Sequence, residues 1–147
     1  MSRPRIAISC GEPAGIGPEI AVRAAAQLTE VACLLIGDAR QLQSLATALL
    51  PPRPVQVVTS AARWKDQPGQ LAILDCPLTV MPVPGQLDAK NGRAVLSMLD
   101  QAIAAAVAGE VDAVVTAPIQ ARSTMPVSHL PVIPNTSLKK RKPRMLS

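Results

Sequence analysis

Aromatic residues are almost missing from this chain: it has one tryptophan and neither tyrosine nor phenylalanine. That excludes a single-stranded nucleic-acid surface built from stacked rings. It also leaves Ala, Val, Leu and Ile to build the core, which suits helices packed on a parallel sheet. Cysteine is scarce as well. Cys10, Cys33 and Cys76 are odd in number, widely spaced and without a Cys-x-x-Cys pair, so neither a zinc site nor a disulfide framework is expected. Buried or half-buried thiols in a reducing, cytoplasmic setting are the plainer reading. No apolar run has the length of a membrane span. The opening Met1-Ser2-Arg3-Pro4-Arg5 leads into a short strand-like run and not into the apolar segment of a signal peptide.

Acidic residues are missing from one end only. Residues 1–120 carry nine Lys/Arg against ten Asp/Glu, a net of −1, whereas residues 121–147 carry six basic residues and no acidic one, a net of +6. The overall charge of +5 therefore belongs to the tail, and the body is a nearly neutral domain.

What is present up to Gln120 is alternation. Residues 5–9 read as a buried strand ending at Gly11. Pro18 suits the first turn of a helix, where its missing N–H has no partner to lose, and that helix runs to about Leu28 with Ile20, Ala24 and Leu28 on one face. Residues 31–36 form a second apolar strand closed by Gly37-Asp38. A helix then spans about 39–50 with Leu42, Leu45, Ala46 and Leu49 at helical spacing, ended by Pro51-Pro52. Residues 55–58 and 71–74 are the next strand candidates. The stretch 75–90, with Pro77, Pro82, Pro84 and Gly85, reads as an extended connection whose unusual length points to function. From Asn91 or Gly92 to Ala108 a helix is predicted, with Val95, Leu99, Ala102, Ile103 and Ala106 as its apolar stripe and Gly109 as its stop. Residues 113–116 form a last strand before Pro118. The fold class is therefore α/β, with a mainly parallel sheet and flanking helices. Beyond Gln120 neither period is found; the 27-residue tail holds four prolines and the run Lys139-Lys140-Arg141-Lys142-Pro143-Arg144, a composition expected to be disordered.

Gly11-Glu12-Pro13-Ala14-Gly15-Ile16-Gly17-Pro18-Glu19 lies between a strand and a helix, where α/β proteins place ligand loops. It is not a dinucleotide fingerprint, because Ile20 stands where the third glycine belongs, and it lacks the Gly-Lys-Ser/Thr of a phosphate loop. The helix start favours an anion, although Glu19 in the first turn opposes one. Two readings stand at this level: a sharp backbone turn, or direct ligand contact.

The order of these residues resembles the opening motif of the 4-hydroxythreonine-4-phosphate dehydrogenase family. The resemblance continues, in order, through Leu35-Ile36-Gly37-Asp38, Pro84-Gly85, Asn91-Gly92 and Ala113-Val114-Val115-Thr116-Ala117-Pro118-Ile119, covering about residues 1–120. It implies the amino-terminal part of a two-lobed enzyme related in fold to isocitrate and isopropylmalate dehydrogenases. Such enzymes use NAD and a divalent metal, held by histidines from both subunits of a homodimer, to oxidise and decarboxylate 4-phosphohydroxy-L-threonine on the way to pyridoxal phosphate. The metal does Lewis-acid work on the alcohol and the developing carbonyl. Residue by residue, the resemblance carries over only to cleft-lining candidates, Gly11, Glu12, Pro13 and Thr116, for which turn and strand-end structure is the plainer role. No catalytic residue, cofactor contact or metal ligand is assigned.

After Thr-Ala-Pro-Ile the family continues with a basic residue, then Ile-Asn-Asp-Ala-Gly and Gly-His-Thr-Glu. Here Ala121 or Arg122 stands where Lys is common, and the motifs are absent as translated. Regrouping the bases, the last of each codon with the first two of the next, lets Ser123 to Val127 yield Ile-Asn-Asp-Ala-Gly. The single codon of Met125 fixes the alanine. The codons of Pro131 to Asn135 then accommodate Gly-His-Thr-Glu. The tail is thus expected to be a frameshifted, non-native segment after about Gln120, and the chain inactive alone. In that frame, the basic run and the lone His129 are by-products. Two other readings stay open: a small α/β module, complete as written, that binds a phosphorylated metabolite, and a basic targeting or nucleic-acid arm. For the dehydrogenase reading, neither a nucleic-acid nor a membrane partner is expected.

Overall fold

The computed structural model describes residues 3–83, 85, 86, 89–117 and 144–146. Strand β1 (Arg5–Ser9) leads into helix α1 (Gly17–Gln27), β2 (Ala32–Gly37), α2 (Ala39–Leu49), β3 (Val55–Val58) and β4 (Leu71–Asp75). The long connection, which ends in a short helical turn at Ala89–Asn91, precedes α3 (Gly92–Val107), β5 (Ala113–Thr116) and β6 (Arg144–Leu146). All ladders are parallel and the sheet order is β3-β4-β2-β1-β5-β6. This is the α/β architecture the alternation predicts.

Buried on both faces, the central strands are continuous apolar runs: Ala7, Leu34, Leu35, Ile36 and Ile73 are fully inaccessible. Helices α1 and α2 cover one face, with Val22 and Leu42 packed on Ile8, Leu35 and Ile73. Helix α3 covers the other, with Met98, Ala102 and Ala105 against Ala7, Leu34, Ile36 and Leu74. The right-handedness of parallel crossovers accounts for this division, because α1 carries the chain one way along the sheet from β1 and α3 carries it back past β1. The stop after α3 is a Schellman turn: Gly109, at φ 76°, donates its N–H to Ala106 and Glu110 donates to Ala105.

Three expectations need correction. The Ile20–Leu28 stripe of α1 is its outer side: Ile20 and Leu28 are 46% and 47% exposed, while Pro18, Ala21 and Val22 are buried. Small residues let the helix sit close to the sheet, so the bulkier side chains are displaced to the flanks. On α3 the buried stripe includes Met98 and Ala105 in place of Ile103 and Ala106, which are only partly covered. The unbranched Met reaches the sheet from a position that a strict Leu/Ile/Val pattern overlooks. Finally, Arg144–Leu146 in the tail forms a strand, pairing Ala113↔Arg144, Val114↔Met145 and Val115↔Leu146. The free edge of β5 offers unpaired backbone groups that any extended segment can meet, whatever its side chains. The remaining tail, residues 118–143 and 147, lies outside the described residues.

Candidate functional site

The chain leaves β1 towards β2 on one side and returns to pair β5 on the other, so the strand order reverses at β1. Crevices at the carboxyl ends of strands at such a point are where open α/β sheets bind ligands. Ser9 pairs with Thr116 there, and the N–H of Ala117 donates to the Ser9 carbonyl at 2.9 Å. The β1–α1 loop continues directly from this edge. All four residues singled out from sequence therefore gather at one place: Gly11, Glu12 and Pro13 are buried in the loop, and Thr116 is half-buried at the end of β5.

The loop is shaped by two glycines for different reasons. Gly11 has φ 74°, in the left-handed region. Gly17 starts α1 so close to β1 that an added Cβ would lie 2.4 Å from the Cys10 carbonyl oxygen and 3.1 Å from the Ala117 Cβ. Glu12, 3% exposed, folds back so that its Oε1 accepts from the Ala14 N–H at 3.3 Å, and its carbonyl accepts from Gly15 at 3.1 Å. Both roles are structural.

Other residues fasten the surroundings, and sequence reasoning gave them no role. Asp38, 1% exposed, caps α2 by accepting from the Gln41 N–H at 3.0 Å, and its second oxygen accepts from Leu78 at 2.9 Å. Burial alone would raise its pKa, but the Leu78 and Gln41 N–H groups and the Arg40 charge together hold it below the ordinary carboxylate value. Asp75 accepts from Ala39 at 2.9 Å. Asn91, also buried, clamps Val80 by accepting from its N–H and donating to its carbonyl, at 3.0 and 2.9 Å. The Gln41 amide donates to the Pro13 carbonyl at 2.7 Å, and the Gly85 N–H donates to Ala14 at 3.0 Å. Gly37, Asp38 and Asn91 thus fasten the long connection at Cys76, Leu78 and Val80, and Gly85 ties it to the glycine loop. Their signal was present as an Asp before a helix and an Asn-Gly at a helix start, but their partners, 40 residues away for Asp38 and 11 for Asn91, cannot be read from spacing.

Chemically the corner can bind and orient more readily than react. Cys10 is buried and its thiol is pushed up to about 12 by burial; Cys76 is pushed to about 11 for the same reason. Neither is a nucleophile at neutral pH. The Ser9 hydroxyl is fully buried, at the crevice end of β1, and has no hydrogen-bond partner among the described residues. A buried polar group in that state is uncommon and fits a site completed by something else. Among the described residues no three of His, Cys, Asp and Glu gather to hold a metal ion, so this donor set does not fit a metal centre. No helix among them is long and apolar enough to cross a membrane.

Fold and corner together define an open parallel α/β unit whose strand order reverses at β1, the kind of point at which such sheets bind ligands. The family model for pyridoxal phosphate biosynthetic protein PdxA matches residues 29–133, and the chain belongs to that family. The match begins after the glycine loop and runs past Gln120. The 4-hydroxythreonine-4-phosphate dehydrogenase of Janthinobacterium sp. (strain Marseille) is 46% identical over 140 residues, which take in 91% of this chain and 40% of that protein. The Acidithiobacillus ferrooxidans enzyme of the same name is 39% identical over 120 residues, 81% of this chain and 36% of its own length. Among solved structures, the Burkholderia phymatum 4-hydroxythreonine-4-phosphate dehydrogenase superposes with a TM-score of 0.74 at 28% identity, covering 84% of this chain and 38% of that one. The chain thus spans about two fifths of the length of these relatives.

Proposed function

We propose that the whole protein to which this chain belongs is a cytoplasmic, homodimeric oxidoreductase that uses NAD and a divalent metal to oxidise and decarboxylate 4-phosphohydroxy-L-threonine in pyridoxal phosphate biosynthesis. The observation that carries this reading is the match to dehydrogenases of that name over 91% of the chain at 46% identity. In this reading Gly11, Glu12, Pro13 and Thr116 line the cleft, and the buried Ser9 hydroxyl finds its partner on the substrate side. The metal and nicotinamide would be held by residues downstream of Gln120, so no step of the reaction is assigned to the present residues.

In the same reading the 147-residue chain is inactive alone, because the motifs the family carries after Gln120 are absent from it as translated. Support comes from the regrouped codons of Ser123 to Asn135, which accommodate Ile-Asn-Asp-Ala-Gly and Gly-His-Thr-Glu together. The family match reaching Ile133 takes in part of this stretch as written, so the gene's own bases decide whether the frame slips there. To test activity, NAD reduction is followed with 4-phosphohydroxy-L-threonine and a divalent metal, for the chain as written and for a product with the frame restored. The expected result is turnover by the restored protein only. Turnover by the short chain removes the fragment reading, and inertness of a folded restored protein removes the substrate assignment. A solved terephthalate 1,2-cis-dihydrodiol dehydrogenase from Burkholderia xenovorans LB400, 33% identical with a TM-score of 0.66, makes a cyclic cis-diol the second substrate to assay.

A further inference from the structure

At the opposite edge of the sheet, beside the amino ends of β2 and β4, lies a cavity of about 430 Å³ lined by Arg3, Arg53, Gln56, Trp64, Asp66 and Gln70 together with apolar residues of α1 and β4. Its size is that of a small-molecule site. Two cations line it, and they are in different states. Arg3 is committed: Nε and Nη2 grip both oxygens of Asp66, the first at 3.0 Å, and Nη1 donates to the Thr29 carbonyl at 2.9 Å. Arg53, which also lines the cavity, has no hydrogen bond or ion pair among the described residues; its Nε is shut off from solvent, which leaves its terminal N–H groups to meet a ligand. Guanidinium N–H groups in that condition carry the desolvation cost without the compensating bond.

The backbone that carries Arg53 is stiff. It lies between Pro52 and Pro54, whose rings fix φ and restrict the residue before them, and the Pro54 carbonyl accepts from the Leu71 N–H at 2.9 Å. The Cα of Arg53 is therefore held in place at the rim of the cavity. With Asp66 neutralised by Arg3, the charge left facing the cavity is positive. A planar guanidinium fork matches a carboxylate. The Gln56 and Gln70 amides, hydrogen-bonded to each other at 2.9 Å, add polar wall beside the apolar one. Trp64, 4% exposed, forms part of the lining, with the Arg5 guanidinium stacked 4.2 Å from its ring centroid.

We propose that this cavity is a second binding site, separate from the strand-end crevice, for a small organic carboxylate held by Arg53. Trp64 is the only Phe, Tyr or Trp of the chain and lines the cavity, so its fluorescence serves as the reporter. Benzoate titrated into the full chain should give a saturable change, and its neutral isostere benzamide should give none. Arg53→Gln should weaken benzoate binding at least tenfold with an unchanged melting curve, and Arg53→Lys should recover only part of it, since the ammonium keeps the charge but not the fork. Inorganic phosphate in competition separates a carboxylate preference from general anion binding: weaker displacement than by acetate is expected. The proposal is overturned by the absence of a saturable benzoate signal, by equal binding of benzamide, by wild-type affinity in Arg53→Gln, or by phosphate displacing benzoate better than acetate does.

Discussion

Gly17 is the residue on which the crevice most depends, because α1 meets the end of β1 through a gap that admits no Cβ. Gly17→Ala places that carbon 2.4 Å from a backbone oxygen and should cost about 1–3 kcal/mol, as overpacking does. Gly11→Ala, at φ 74°, should cost about 1–2 kcal/mol. Denaturant unfolding measures both. Asp38 gives a pH prediction. Its folded pKa lies below its ordinary 3.8, so its contribution is fully present above that value and fades as pH falls through the folded pKa. Asp38→Asn should therefore flatten the stability curve below about pH 4 relative to wild type, whereas an unchanged acid limb excludes the capping role. Ser9→Ala should leave stability unchanged or slightly raised, since it deletes a buried hydroxyl without a partner among the described residues. In the frame-restored enzyme it should lower kcat/KM by about threefold to tenfold, the worth of one hydrogen bond. Unaltered kinetics remove Ser9 from the substrate side.

Among the elements, the long connection is the part whose placement was least legible. Its prolines predict extension, but only the fold shows that Asp38 holds Leu78, Asn91 holds Val80 and Gly85 reaches Ala14. Asn91→Ala removes both bonds to Val80 and should cost about 1–3 kcal/mol in total. Cleavage by a nonspecific protease should move to residues 76–90, and an unchanged cleavage pattern contradicts the clamp. Strands were legible because each is a short apolar run bounded by Gly, Pro or Asp, and β3 and β5 begin and end where the pattern places them. Helix faces were less so. Ile20 and Leu28 satisfy the helical period yet point outward, because the helix packs through Ala21 and Val22, and hydropathy alone does not reveal how closely a helix approaches a sheet. Strand β6 left no sequence signal, since an edge selects for extended backbone more than for side chains.

At the scale of the molecule, the chain is an α/β unit with a built crevice and about two fifths of the length of its relatives. Its glycine loop, Asp38 and Asn91 fasten the loops beside the end of β1, and among the described residues no three of His, Cys, Asp and Glu gather to hold a metal ion. The charge division, a body of net −1 followed by a tail of net +6, fits the proposed change of reading frame. The central claim is that such a change separates this chain from a complete 4-hydroxythreonine-4-phosphate dehydrogenase. The direct test is to sequence the gene from the codon of Val114 to well past that of Ser147 and translate it in the neighbouring frame. The account predicts Ile-Asn-Asp-Ala-Gly followed by Gly-His-Thr-Glu and a long open frame beyond. Stop codons or unrelated residues at those positions contradict it.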